Sequence, residues 1–304
     1  VGSGTLALFF VFILALNAVL IWIGWRILFP AFMRKHFVPP RRKPTPLPVE
    51  IRGRARDVEI PVDGVHLRGW WVRPEGEARA AAVLTHGWGQ EGNRLGAIAA
   101  GLVRRGVACL LLDLRGHGRS DPWPDYNIVK GMGDLRAARE WLGRQDGSGD
   151  VPAVVLGFSF GGLAATLSVS RDRLWDGGVV IGAPSAPLRA IAYFLEGKKL
   201  PGKLLARLMV DRLRETIGID PRELSTARNL PGVQVPVLVV HGTDDPVVPF
   251  EEGGRIAAFV PPEYRSTFWV EGGRHGDVLV RDDVVEAVSA FVVERVAKEK
   301  ETVH

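Results

Sequence analysis

The segment richest in chemistry is Gly157-Phe158-Ser159-Phe160-Gly161, followed by Gly162. It comes directly after the apolar residues 154–156 and directly before a helical pattern over 163–170. A serine on so tight a strand-to-helix turn needs small residues two before and two after it. The turn lifts its hydroxyl to the edge of a sheet, at a helix N-terminus whose backbone N–H groups stabilise an oxyanion. Beside a base, such a serine is a nucleophile for acyl transfer. The sequence holds seven histidines: His36, His66, His86, His117, His241, His275 and His304. His36 falls in a proline-rich stretch, His66 in an early hairpin and His304 at the terminus. On an elbow of this kind the partners follow the serine in the order acid, then histidine. That order sets aside His86 and His117, which precede Ser159, and His241, which precedes the acid. His275 remains, in Glu271-Gly-Gly-Arg-His-Gly276, where the glycines let the chain swing an imidazole toward Ser159. The acid belongs after an apolar strand between these two, and residues 237–249 offer Asp244 and Asp245. One carboxylate suffices to hold the imidazole and stabilise the imidazolium, and spacing alone does not choose between them.

Residues so far apart must be gathered by a framework. Residues 57–61 and 65–73 alternate in the strand period around Asp63-Gly64, a hairpin signal. Short continuous apolar runs follow at 80–85, 107–112, 153–156, 179–181, 235–240 and 266–270, as expected of strands buried on both faces of a parallel sheet. Helical patterns separate them, over 94–105, 127–144, 160–170, 250–259 and 280–298. Alternating strands and helices predict an α/β fold, a mostly parallel doubly wound sheet. Between 183 and 234 the alternation breaks, and helical patterns at 186–195 and 204–217 predict a small inserted cap. The apolar Ile191, Tyr193, Phe194, Leu195, Leu204, Leu205, Leu208 and Met209 either line a pocket or face a bilayer.

Taken in order, His86-Gly-Trp88 after a strand, Asp113-Leu-Arg-Gly-His-Gly-Arg-Ser120, the turn at Ser159, His241-Gly-x-x-Asp245 and Gly-x-His275-Gly resemble the α/β-hydrolase superfamily from about Asp57 to Lys298. The resemblance implies the α/β-hydrolase fold. It also implies Asp245 as the acid, the fourth residue after the histidine of the His-Gly pair, and an oxyanion hole made by the backbone amides of Trp88 and Phe160. His86 and His117 become turn residues bonded to backbone. Serine, where some relatives carry aspartate, implies ester hydrolysis through an acyl-enzyme, with no cofactor and no metal. One N-terminal anchor and a short cap are similar to membrane-anchored, lysophospholipase-like esterases. A peptidase or thioesterase of the same fold, and a non-catalytic scaffold, are the alternatives.

The chain has 304 residues, of which 46% are hydrophobic and 24% charged, a composition that excludes disorder. Cys109, the single cysteine, sits in an apolar run and excludes an intrachain disulfide. A net charge of +5 suggests a polyanion binder until the charges are divided. Nine of the 39 Lys and Arg, against only Glu50 of the 34 acids, lie between Arg26 and Arg56, leaving the remainder mildly acidic. Nucleic acid is therefore not expected as a partner. Residues 6–25 carry only Asn17 as a clearly polar side chain, a length that crosses a bilayer. Residues 1–29 are expected to form a transmembrane anchor rather than a signal peptide. Residues 30–50 then form a basic, proline-rich tether, and 51–304 the hydrolase domain. The basic collar after the apolar run, with no charge before it, predicts a cytoplasmic catalytic domain. Expected partners are the membrane, through the N-terminal helix, and a small-molecule acyl ester or lipid substrate.

Overall fold

Strand runs with no polar face must be covered on both sides, and a computed structural model shows how. It describes residues 3–28, 38–42, 44–124, 126–145 and 147–298. The strands are β1 (Ala55–Val62), β2 (Val65–Val72), β3 (Ala80–Thr85), β4 (Val107–Asp113), β5 (Ala153–Phe158), β6 (Gly177–Ile181), β7 (Val237–Gly242) and β8 (Arg265–Val270). They form one eight-stranded sheet in the order β1-β2-β4-β3-β5-β6-β7-β8. β2 pairs antiparallel with β1 and β4, and every later pairing is parallel. The hairpin turns at Asp63 and Gly64, both with positive φ, the conformation that suits the twist of two-residue hairpins.

The outer helices in chain order are α1 (Ser3–Ile23), α2 (Val49–Arg52), α3 (Gly96–Arg104), α4 (Ile128–Leu142) and α5 (Phe160–Arg171). There follow α6 (Pro187–Glu196), α7 (Gly202–Leu208), α8 (Val210–Ile217), α9 (Thr226–Asn229), α10 (Glu251–Phe259) and α11 (Asp282–Ala290). Alternate strand residues feed two cores. Leu84, Leu111, Leu156 and Val240 pack with Ile98, Leu102, Val288 and Val292 on one face. Val83, Leu110, Val155 and Val239 pack with Leu135, Leu163, Leu167 and Ile256 on the other. The helix expected over 280–298 starts at Asp282 and passes into wider π-helical turns over Phe291–Ala297.

Between β6 and β7 lie α6, α7, α8 and α9. The helix expected over 204–217 is two, because the chain turns at Met209 between α7 and α8. The apolar N-terminal helix has a mean hydropathy of 2.8 over Gly4–Ile23 and none of that stretch is buried, so it is long and apolar enough to cross a membrane. Asn17 satisfies itself there, its Nδ2 donating to the Ile13 carbonyl at 2.8 Å.

Part of the expected tether packs on the body. Arg34, Lys35, His36 and Lys43 of that stretch lie outside the described residues, as does His304, but Pro39 and Leu47 are buried and Leu47 joins the core of the sheet. A segment rich in proline has few backbone donors to satisfy, so it can lie extended in a groove where an ordinary chain would strand its N–H groups. Packing on the body therefore starts ahead of Ile51.

Two buried histidines fasten the connections after β3 and β4. His86 places Nδ1 2.8 Å from the Gly87 carbonyl, and its Nε2 accepts from the Leu114 amide at 3.2 Å. His117 places Nδ1 3.0 Å from the Arg115 carbonyl, with the two rings 5.0 Å apart. Burial pushes the His86 imidazole down to about 4, and burial together with the neighbouring His86 pushes His117 down to about 3. Both rings are neutral in the folded chain. Unfolded, they titrate near 6.5. Below that pH the unfolded state takes up protons the fold refuses, so this contribution to stability is complete above pH 6.5 and is lost as the pH falls toward 4. Between pH 7 and pH 5 the wild type should lose about 2 kcal/mol more unfolding free energy than His117→Gln, measured by denaturant titration. Equal losses would show that His117 is not held neutral.

Candidate active site

Ser159 joins β5 to α5 with φ 54° and ψ −117°, a conformation that is strained for a residue with a side chain. Its neighbours make the turn feasible. A Cβ on Gly157 would lie 2.2 Å from the Gly161 carbonyl oxygen, and one on Gly161 would lie 2.4 Å from the His86 carbonyl oxygen. No side chain fits at either place. The Ser159 amide donates to the Ile181 carbonyl at 2.8 Å, which ties the turn to β6.

His275 lies in the connection from β8 to α11. Its Nε2 is 3.0 Å from Ser159 Oγ, and its Nδ1 is 2.7 Å from Asp245 Oδ2. The Asp245 side chain is only 1% exposed, and Oδ1 accepts from the amides of Val247 and Val248 at 2.8 and 2.9 Å. Those two donors fix the carboxylate and leave Oδ2 to the imidazole. Asp244 is exposed, with Oδ1 3.3 Å from Thr243 Oγ1. Of the two aspartates the sequence offers, the structure brings Asp245 to His275 and leaves Asp244 outside. His241 lies behind the acid, with Nε2 2.9 Å from the Val248 carbonyl, and burial lowers its pKa.

Phe160 opens α5, so its amide has no intrahelical acceptor. Trp88 follows Gly87, where a Cβ would stand 3.1 Å from Ser159 Cβ, so the connection after β3 presses on the turn. The Trp88 and Phe160 rings meet edge to face at 5.7 Å. Above Ser159 opens a cavity of about 140 Å³, walled by Trp88, Phe160, Ile191, Tyr193, Phe194 and Val247 among others, with no charged residue in its lining. Among the described residues, no group of three or more His, Cys, Asp or Glu could hold a metal ion.

Sequence reasoning passed over Glu252. Its side chain is fully buried and accepts from the Ser185 amide and hydroxyl, both at 2.8 Å, and from Arg189 Nε at 2.7 Å. Burial opposes its charge, but the Arg189 guanidinium and the Ser185 donors hold its carboxyl below the ordinary range. Arg189 also donates to the Tyr193 hydroxyl at 2.9 Å. The pair thus fastens α6, which supplies one wall of the cavity, to α10. The signal was present: Glu252 stands four residues before the buried Ile256, on the inward stripe of its helix.

Comparison with known proteins agrees with this framework. The chain is 26% identical over 260 residues to the uncharacterized protein Rv2307c of Mycobacterium tuberculosis, covering 84% of this chain and 85% of the relative. It is 27% identical over 282 residues to the uncharacterized protein YfhR of Salmonella typhimurium, covering 88% of each. The fold is similar to that of the Pyrococcus furiosus esterase Pf2001, with TM-score 0.66 and 22% identity, covering 85% of this chain and 99% of that one. It is also similar to Est1E from Butyrivibrio proteoclasticus, solved with ferulic acid bound, with TM-score 0.64 and 22% identity, covering 79% and 99%. The family described as serine aminopeptidase, S33, matches residues 76–229, just over half of the chain, from before β3 through the elbow and the cap. With that match on an eight-stranded sheet of this order, the chain belongs to the serine aminopeptidase S33 (Hydrolase_4) family of α/β-hydrolases.

Proposed function

We propose that this hydrolase cleaves carboxylic esters through an acyl-enzyme on Ser159. The observation that carries the reading is the hydrogen-bonded chain Asp245–His275–Ser159 at the floor of an uncharged, apolar cavity. Ser159 Oγ attacks the ester carbonyl carbon while its proton passes to His275 Nε2, and Asp245 stabilises the imidazolium. The tetrahedral oxyanion accepts from the amides of Phe160 and Trp88. Collapse releases the alcohol, which takes the proton from His275. Water then attacks the acyl-enzyme by the same route, frees the carboxylic acid and restores Ser159.

The family description favours a second reading, an aminopeptidase. Such an enzyme has to hold the substrate's ammonium group, and among the described residues the lining offers no carboxylate for it. Glu252, which contacts the neighbours of the lining residues Pro184 and Ala190, is committed to Ser185 and Arg189. An ester needs no such group.

The apolar N-terminal helix followed by a basic collar supports a single-pass anchor of residues 1–29, with the hydrolase domain of 51–304 on the cytoplasmic side. Its partners are then the bilayer and a small acyl ester or lipid-like substrate reached near the membrane surface. Externally added protease should leave the domain intact in sealed right-side-out spheroplasts and digest it once they are lysed. Digestion before lysis refutes the orientation.

A fluorophosphonate should label the wild type and not Ser159→Ala, whose turnover should fall by up to about 10⁶. Asp245→Asn should cost about 10⁴ in kcat, against less than about threefold for Asp244→Asn. Labelling of folded Ser159→Ala, or a larger loss in the Asp244 variant, breaks the assignment.

The cavity volume of about 140 Å³ is close to the roughly 150 Å³ of an engineered apolar cavity that takes up benzene. Short acyl groups or a single aromatic ring should therefore be preferred. Enlarging the pocket with Phe194→Ala should raise the ratio of octanoate to butyrate hydrolysis by about tenfold in a p-nitrophenyl ester series. An unchanged profile would remove Phe194 from the acyl site.

A further inference from the structure

Residues 40–42 and 44–48, ahead of the sheet, touch the body mainly along one loop. Pro40 lies on Gly89, where a Cβ would come within 2.8 Å of Pro40 Cγ. Thr45 Oγ1 donates to Glu91 Oε1 at 2.7 Å, the Thr45 amide reaches the same oxygen at 3.4 Å, and Asn93 Nδ2 donates to the Thr45 carbonyl. Pro48 lies on Gly96, where a Cβ would come within 2.7 Å of Pro48 Cδ. Contacts at 89, 91, 93 and 96 follow the connection from β3 to α3, the one that carries Trp88. Arg41 reaches past it and donates to the carbonyls of Gly118 and Ser120 at 3.1 and 2.9 Å. That second loop is tied to the first through Asp113, whose Oδ1 accepts from the Gly92 amide at 2.6 Å and Oδ2 from the Arg119 amide at 2.9 Å.

The loop needs such support. Gly87, Gly89 and Gly92 fall within six consecutive residues, a composition with high backbone freedom. An oxyanion donor, by contrast, has to stay within a few tenths of an ångström of its place. Glu91, buried at the centre of the loop, has its carboxyl raised by burial, opposed first by the Thr45 hydroxyl and then by the Asn93 and Thr45 amides. Without the Thr45 donors a buried carboxylate would be left underpaired, and the loop would relax to expose it.

We propose that residues 39–42 and 44–48 form a strap that positions the oxyanion-binding loop, with Thr45 and Arg41 as its positioning residues acting on the Trp88 amide through Glu91 and the 118–120 turn. The proposal rests on the reading of Trp88 as an oxyanion donor. It makes residues ahead of β1 part of the active-site framework.

The test uses the full-length protein in detergent micelles, comparing wild type, Thr45→Val with Arg41→Met, and Thr45→Ser with Arg41→Lys. Hydrogen exchange reads the strap without reference to catalysis. Amides of 87–95 should exchange at least about tenfold faster in the Val/Met variant while the β5 and β6 amides stay protected, and Ser/Lys should restore most of the protection. Unchanged exchange over 87–95 overturns the strap. With a butyrate ester, kcat should fall about tenfold in the Val/Met variant with KM within twofold, and affinity for a boronic acid that mimics the tetrahedral intermediate should fall in parallel. Full kcat, or an unchanged boronic acid affinity, overturns the positioning role. Failure of the ester reading is separately visible, as a wild type that neither hydrolyses the ester nor labels at Ser159 while its 87–95 amides still respond to the strap variants.

Discussion

Everything in the site hangs on the backbone at Ser159. Its positive φ is a conformation that most residues avoid, and the fold keeps it only because two neighbouring positions have no side chain. Gly161 sits against the carbonyl of His86, so the elbow is pressed onto the end of β3 as well as bonded to β6 through the Ser159 amide. The connection after β3 thereby comes to stand beside the serine, and His86 holds that connection to the one after β4. Strain at one residue is thus spread over three strand ends, which is how a strained turn persists in a stable fold.

Charge is distributed around this turn by the same economy of space. His86, His117 and His241 are buried and held toward the neutral form, and each bonds a backbone carbonyl. His275 instead joins a carboxylate to a hydroxyl. The buried acids are each satisfied by several donors: Asp245 by two amides and the imidazole, Glu252 by Ser185 and Arg189. Buried carboxylates so supplied keep their orientation, and in Glu252 that rigidity passes to the wall of the cavity through Arg189 and Tyr193.

Much of this was legible in the sequence because both faces of the sheet are covered. A continuous apolar run marked β3, buried on both faces; β8 falls within a residue of its expected bounds but is an edge strand with Arg265, Thr267 and Trp269 exposed rather than buried on both faces. β6 begins two residues ahead of its apolar run, since Gly177 and Gly178 do not look like strand; at Gly177 a Cβ would come within 2.6 Å of Val296, a fact of tertiary packing. β7 was placed early because Val235 and Pro236 are apolar, but proline cannot donate to a ladder, and the strand runs from Val237 through His241 to Gly242. Ser159 and His275 could be read from order and glycine flanks. The choice of Asp245 over Asp244 came from the resemblance alone, because spacing does not show which carboxylate the amides of Val247 and Val248 capture. The packing of Pro39 and Leu47 on the body was not legible for a similar reason. Proline content reports extended backbone, but not the groove in which it lies.

The site is assembled from connections that follow β5, β7 and β8, and β8 is held in the sheet by β7 alone. In synthesis from the N-terminus, the apolar helix emerges before the serine, and His275 follows the serine by 116 residues. Ser159 therefore spends much of its time on the ribosome without its imidazole partner. Competence arrives only when the last strand docks, by which time the apolar helix has long been available to a membrane. The order of strands thus keeps Ser159 apart from His275 until the last strand has docked.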